Sequence, residues 1–245
     1  MEISYTGLSS LFSCEYSWYL RYIVKVPSVE TSASVYGTAL HRAIKIGYDN
    51  GLNRDEIIKT FKREWFVLTA QKDIIYSHEK DYAKRLVNGQ EIIGNYYDKY
   101  MHNTPQPKAT ELRFGRSDGV KLGEHTLIGI IDQVDHNNKV IDYKSSKPTA
   151  AELDFDLQFT LYSYAYRALY GVKESALVLR HLGTLSDVTT TRTDSDFDIL
   201  REEIDKAERT INAGIFLRNL GRGCANCYFL GACLGKERKV DRWRK

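Results

Sequence analysis

Two groups of residues carry side chains that could do chemistry. The first is Asp132, closing the run Gly129-Ile130-Ile131-Asp132, together with Asp142 and Lys144 in Val140-Ile141-Asp142-Tyr143-Lys144. Residues two apart on a strand share a face, so Asp142 and Lys144 project together. A tight turn at Asn137-Asn138 would fold the two runs into a hairpin and bring Asp132 beside Asp142. Two converging carboxylates suit a hard divalent ion such as Mg²⁺ or Mn²⁺. Such an ion polarises a phosphoryl oxygen and acidifies a bound water. A neighbouring lysine can orient that water or stabilise charge in the transition state. His41 follows Tyr36-Gly37-Thr38-Ala39-Leu40, and Gln158 and Tyr162 stand four apart on one helical face. The second group is four cysteines: Cys14 near the start, and Cys224, Cys227 and Cys233 as Cys-x₂-Cys-x₅-Cys near the end. Four thiolates satisfy either a [4Fe–4S] cluster or Zn²⁺, and residue type does not separate the two.

The elements that must position these groups follow from apolar periodicity. Residues 6–24 read as an aromatic amphipathic helix ended by Pro27, and helices follow near 34–49, 53–72 and 79–102. The period then changes, with β-type runs at 109–115, 122–134 and 138–144. A helix at 154–170, strands at 176–182 and 188–192, and a charged helix at 194–213 precede the cysteine segment. The order predicts an α/β fold: a mixed central sheet flanked by helices, with an N-terminal helical elaboration.

The chain has 245 residues, 42% of them hydrophobic, with a net charge of +3 and a pI near 8.5. That mild basicity does not by itself argue for nucleic acid. No apolar run is long enough to span a membrane, and Met1-Glu2-Ile3-Ser4-Tyr5 lacks the pattern of a secretory signal. A cytoplasmic location is expected, where cysteines point to metal or catalysis before disulfides. The tail 236–245 is basic and carries Trp243, a composition that could serve phosphate contact and base stacking but that reads first as a solvated terminus. Gly231-Ala-Cys-Leu-Gly235-Lys236 is one residue short of a phosphate loop and lacks its Ser/Thr.

Taken in order, Gly37-x-x-x-His41, Gly129-Ile-Ile-Asp132, Asp142-Tyr-Lys144 and Gln158-x-x-x-Tyr162 resemble the RecB-like branch of the PD-(D/E)XK nucleases. The resemblance covers nearly the whole chain and implies a restriction-endonuclease-like core. It implies one nuclease domain over 1–245, with a mainly helical part at 1–105, the core at 106–213 and a cysteine segment with basic tail at 214–245. By the same resemblance, His41, Asp132, Asp142 and the backbone carbonyl of Tyr143 hold Mn²⁺ or Mg²⁺. Lys144 assists the attacking water, while Gln158 and Tyr162 support the site. Glu111 resembles an acidic position on the first strand, and Asp142 stands where Glu is commoner. The cysteines resemble those of the iron–sulfur subset, which includes CRISPR-associated exonucleases and the AddB nuclease domain, and imply a [4Fe–4S] cluster on Cys14, Cys224, Cys227 and Cys233. This chain has Cys-Glu-Tyr where that subset has Cys-Pro-Arg. The implied activity is exonucleolytic hydrolysis of single-stranded DNA ends in repair, recombination or spacer acquisition, with a helicase or integrase-type protein as candidate partner. The alternatives are a structure-specific or double-strand endonuclease and a non-catalytic DNA-binding subunit.

Overall fold

The computed structural model describes residues 1–28, 30–70, 74–145 and 150–235. The basic tail at 236–245 lies outside them. Helices are α1 (Tyr5–Ser13), α2 (Glu15–Tyr22), α3 (Ser32–Asn50), α4 (Arg54–Ala70), α5 (Asp81–Tyr96), α6 (Ala150–Asp154), α7 (Leu157–Tyr170), α8 (Asp194–Ala213) and α9 (Leu230–Leu234). Strands are β1 (Glu2–Ile3), β2 (Glu30–Thr31), β3 (Ile74–Ile75), β4 (Ala109–Phe114), β5 (Lys121–Leu122), β6 (His125–Leu127), β7 (Gly129–Val134), β8 (Lys139–Lys144), β9 (Ala176–His181) and β10 (Ser186–Thr190). They form two compact units. One takes the described residues of Met1–Val29, Phe114–Gly129 and Arg192–Val240; the other takes those of Glu30–Arg113 and Ile130–Thr191.

The second unit is built on a five-stranded mixed sheet in the order β10-β9-β8-β7-β4. Strands β7 and β8 form the hairpin expected from the sequence, with Gln133 opposite Ile141 and Val134 opposite Val140. Asn138 turns it in the left-handed region at φ 63°, a conformation Asn tolerates better than most residues. Asp135 Oδ1 caps the turn by accepting the Asn137 and Lys139 N–H groups, both at 2.8 Å. Strand β9 pairs parallel with β8 and antiparallel with β10. Every side chain of β8 from Val140 to Tyr143 is buried, as a central strand requires.

Helix α3 starts at Thr31, whose side chain accepts the Ser34 N–H, and ends at Gly51 in the left-handed region at φ 60°. Val35, Tyr36, Ala39, Leu40, Ala43, Ile44 and Tyr48 recur at helical spacing and enter one core with Phe61 and Trp65 of α4, Ile93 and Tyr96 of α5, and Ile141 and Val178 of the sheet. Behind β8, Tyr143 Oη donates to Gln133 Oε1 at 2.6 Å and lies 2.9 Å from Tyr96 Oη, so the buried hydroxyls are satisfied.

The first unit joins residues from both ends of the chain. Leu217 N donates to Glu15 Oε2 at 2.9 Å, Tyr16 N to the Leu217 carbonyl at 3.1 Å, and Asn219 Nδ2 to the Ser13 carbonyl at 2.9 Å. Phe216 stacks on Trp18 and Tyr19.

The structure corrects three boundaries. The helix expected over 6–24 is two helices, broken where Cys14 takes an extended conformation at φ −165° and ψ 108°. The long strand expected over 122–134 is β5, β6 and β7, because a turn at Gly123 (φ 59°) folds β5 antiparallel onto β6. The helix expected to reach 102 ends as a π-helical turn at Tyr97–Met101. Periodicity reports a buried face and misses such interruptions, which keep apolar residues on the same side.

Candidate active site

The end of the β7–β8 hairpin, α3 and the start of α7 bring six side chains together. Strand alternation puts Asp142 and Lys144 on one face of β8, and their Oδ2 and Nζ lie 2.8 Å apart. Asp132, on β7, accepts the Tyr143 N–H on Oδ2 at 2.8 Å, which ties the two strand ends together. Its other oxygen lies 3.2 Å from Nδ1 of His41. The His41 ring meets the Tyr143 ring edge to face at 5.4 Å between centroids.

Helix α7 supplies the remaining contacts. Asp156 caps it by accepting the Gln158 N–H at 2.7 Å, which fixes the helix start beside the strand. Gln158 Nε2 then donates to Asp142 Oδ1 at 2.9 Å and contacts Tyr162 Oη at 2.8 Å, while its Oε1 accepts from Lys144 Nζ at 2.9 Å. One amide therefore holds a carboxylate, an ammonium and a phenol in fixed relation.

The electrostatics follow from burial. Asp142 is only 2% exposed. Desolvation pushes its carboxyl up to about 7, with the Asp132 charge adding to the rise and Lys144 and His41 opposing it. For Lys144, burial works against the charged form, but the Asp142 and Asp132 carboxylates outweigh it and raise the ammonium above its ordinary value. Burial likewise opposes protonation of His41, and Asp132 reverses the sign. Burial raises the Tyr162 hydroxyl well above its ordinary value.

An open cleft beside these groups is lined by Thr38, His41, Arg42 and Lys45 of α3, Glu64 of α4, Glu111 and Arg113 of β4, and Ile130 and Asp132 of β7. Glu111 sits in the left-handed region at φ 47°. A non-glycine residue held there costs roughly 1–3 kcal/mol, and such strain concentrates at functional sites. Sequence reading missed Glu64, Arg42, Lys45 and Arg113. Arg42 and Lys45 follow His41 by one and four positions, a spacing that could have flagged them; Glu64 comes from another helix, with no local signal.

None of the four cysteines is in a disulfide, and they line one cavity of the first unit together with Tyr16, Leu20, Arg218 and Phe229. Cys224 Sγ accepts the Gly221 N–H at 3.5 Å and Cys227 Sγ the Phe229 N–H at 3.4 Å. Among the described residues, no three His, Cys, Asp or Glu side chains are already at the spacing of metal ligands, the four cysteines and the His41–Asp132–Asp142 set included. No helix among them is long and apolar enough to cross a membrane.

Comparison with known proteins agrees with this geometry. Residues 2–234 match the profile of the PD-(D/E)XK nuclease superfamily, and the chain belongs to that superfamily. It is thus a nuclease, of a class that uses divalent metal ions. A crystal structure of a "putative exonuclease" from Eubacterium rectale shares the fold, with a TM-score of 0.58 at 14% identity over 92% of this chain and 87% of that one. No curated protein is significantly similar in sequence.

Proposed function

We propose that this nuclease is a RecB-like exonuclease that hydrolyses single-stranded DNA from its ends in the cytoplasm. The observation that carries the proposal is the linked set His41–Asp132 and Asp142–Lys144–Gln158–Tyr162 beside an open cleft. The name of the Eubacterium rectale neighbour supports the exonuclease reading. Processing of DNA ends during repair, recombination or spacer acquisition fits such an activity.

His41, Asp132, Asp142 and the Tyr143 carbonyl would hold a divalent ion. The donor set fits: one imidazole and two carboxylates, of which the buried Asp142 Oδ2 has an ion-pair contact but no aligned hydrogen bond. When bound, the ion supplies Lewis acidity toward a phosphoryl oxygen and a lowered water pKa. The protein's own groups do the rest. Lys144 is held charged between Asp142 and Gln158, so it can donate to an oxygen that gains charge during hydrolysis without reorganising first. Gln158 keeps the lysine and carboxylate in register. The Tyr162 hydroxyl stays protonated at neutral pH and can donate to a phosphate oxygen.

The proposal extends to a [4Fe–4S] cluster on Cys14, Cys224, Cys227 and Cys233. Its support is the shared cavity and the backbone N–H groups aimed at two of the sulfurs, a common way to stabilise thiolate ligands. Cys14→Ala should lower bound iron and sulfide as much as Cys227→Ala; one zinc per chain without iron in anaerobic protein would transfer the site to zinc.

The catalytic reading is tested by incubating end-labelled single-stranded DNA with Mg²⁺, Mn²⁺ or EDTA. Cleavage should need the ion and vanish in Asp132→Ala and Asp142→Ala. Full activity in EDTA would overturn it.

A further inference from the structure

Four arginines of the second unit make a useful contrast. Arg180 grips Asp187 with two hydrogen bonds at 2.9 and 2.8 Å, and Arg167 grips Glu174 likewise at 2.9 Å for both. These are short, bidentate and committed to the fold. Arg42 and Arg113 are different. Arg42 reaches Glu64 only at 3.5 Å and stays 47% exposed, while the other oxygen of Glu64 accepts from Arg63 at 3.3 Å; Arg113 reaches Glu111 at 3.8 Å and is 72% exposed. Such loose surface pairs contribute little to stability, and a phosphodiester, whose two non-bridging oxygens share one negative charge, can take the carboxylate's place. Lys45, one turn along α3 from His41, pairs with Asp49 on an exposed face.

All three cations line the cleft that His41 and Asp132 also line. Thr38, His41, Arg42 and Lys45 share one stripe of α3, as residues three and four apart must. Arg113 stands two residues from Glu111 on β4, and their 3.8 Å contact and shared place in the cleft lining put the two side chains together. The cleft therefore draws cations from both a helix and a strand, and His41 and Asp132 of the proposed hydrolytic group line it with them.

We infer that Arg42, Lys45 and Arg113 are the phosphate contacts that seat the substrate strand next to the hydrolytic groups, and that Glu64 restrains Arg42 until a phosphate replaces it. This inference rests on the single-strand reading above. It adds the residues that give affinity, distinct from those that cut.

Each phosphate contact on a single strand contributes about 0.7 to the slope of log affinity against log salt. Binding of a fluorescent oligothymidylate, followed by anisotropy from low to high salt, reads that slope directly. The Asp142→Asn form of the full chain serves as parent, so that cleavage does not intrude. Arg42→Ala, Lys45→Ala and Arg113→Ala should each lower the slope by about 0.7, whereas Lys62→Ala, an exposed cation of α4 that does not line the cleft, should leave it unchanged. Glu64→Gln should tighten binding, a gain that misfolding cannot imitate. Unchanged slopes in the three variants, or an equal loss in Lys62→Ala, would overturn the assignment of the cleft. A parent that fails to bind the oligothymidylate at any salt would instead overturn the single-strand reading itself.

Discussion

Gln158 offers the sharpest perturbation, because one side chain touches three proposed working groups. Gln158→Leu keeps the approximate volume and removes both polar atoms. It deletes two bonds to charged groups, the one to Asp142 Oδ1 and the one from Lys144 Nζ, both 2.9 Å, and with them the neutral bond to Tyr162 Oη at 2.8 Å. A hydrogen bond to a charged group contributes about 1.5–3 kcal/mol. The two losses are not additive, since Lys144 and Asp142 keep their direct 2.8 Å contact. The expected destabilisation is therefore on the order of 3 kcal/mol, read as a shift of the urea midpoint at unchanged slope. The functional loss is separate. Partners that orient metal-binding carboxylates typically matter by 10–100-fold in metal affinity or activity, so turnover should fall by about that factor or half-saturation by Mn²⁺ should rise comparably. A variant with the stability loss but unaltered turnover and metal dependence would refute the idea that Gln158 positions the site, and leave it a packing residue.

Further expectations follow from particular contacts. Burial opposes ionisation of Glu174, but Arg167 and Ser163 outweigh it and hold the carboxyl below its ordinary range. Because the folded value is depressed, this stabilisation is full above the unfolded pKa, about 4.3, and lost as pH falls through the folded one. The stability difference between wild type and Glu174→Gln, measured by urea denaturation, should be flat above about pH 5.5 and shrink below pH 4. Arg167→Leu leaves a carboxylate whose side chain is 1% exposed without its cation, and should cost about 3–5 kcal/mol in the same assay. Gly129→Ala would place a Cβ 2.5 Å from the Phe114 ring, and overpacking of that kind should lower stability by about 1–3 kcal/mol, seen in the thermal midpoint.

How much was legible in the sequence differs between parts of the site. Asp142, Lys144, Gln158 and Tyr162 sit within 21 residues on a strand and the following helix, so periods of two and four already put them on shared faces. The Asn137-Asn138 turn fixed the hairpin and with it the approach of Asp132. The glycine of Gly129-Ile-Ile-Asp132 carries a different message, visible only in three dimensions: it makes room for the Phe114 ring. The cleft was hidden for the same reason. Glu64 and Arg113 come from elements far from His41 in the chain, and no local pattern announces that they line its cleft; Glu111 was marked only by the family resemblance. The break at Cys14 was also hidden, because both halves of the 6–24 stretch keep their apolar side on one periodicity while the backbone between them extends.

The central claim, that the chain cuts single-stranded DNA from its ends through the Asp132–Asp142–Lys144 group, is tested most directly by a paired time course. The same single-stranded sequence is supplied as an end-labelled linear strand and as a closed circle, with Mn²⁺, to wild type and to Lys144→Ala. Wild type should degrade the linear strand progressively from its end and leave the circle intact, and Lys144→Ala should be slower by about 10²–10³-fold. Equal loss of circle and linear strand would contradict end-dependence, and a Lys144→Ala rate equal to wild type would contradict the site.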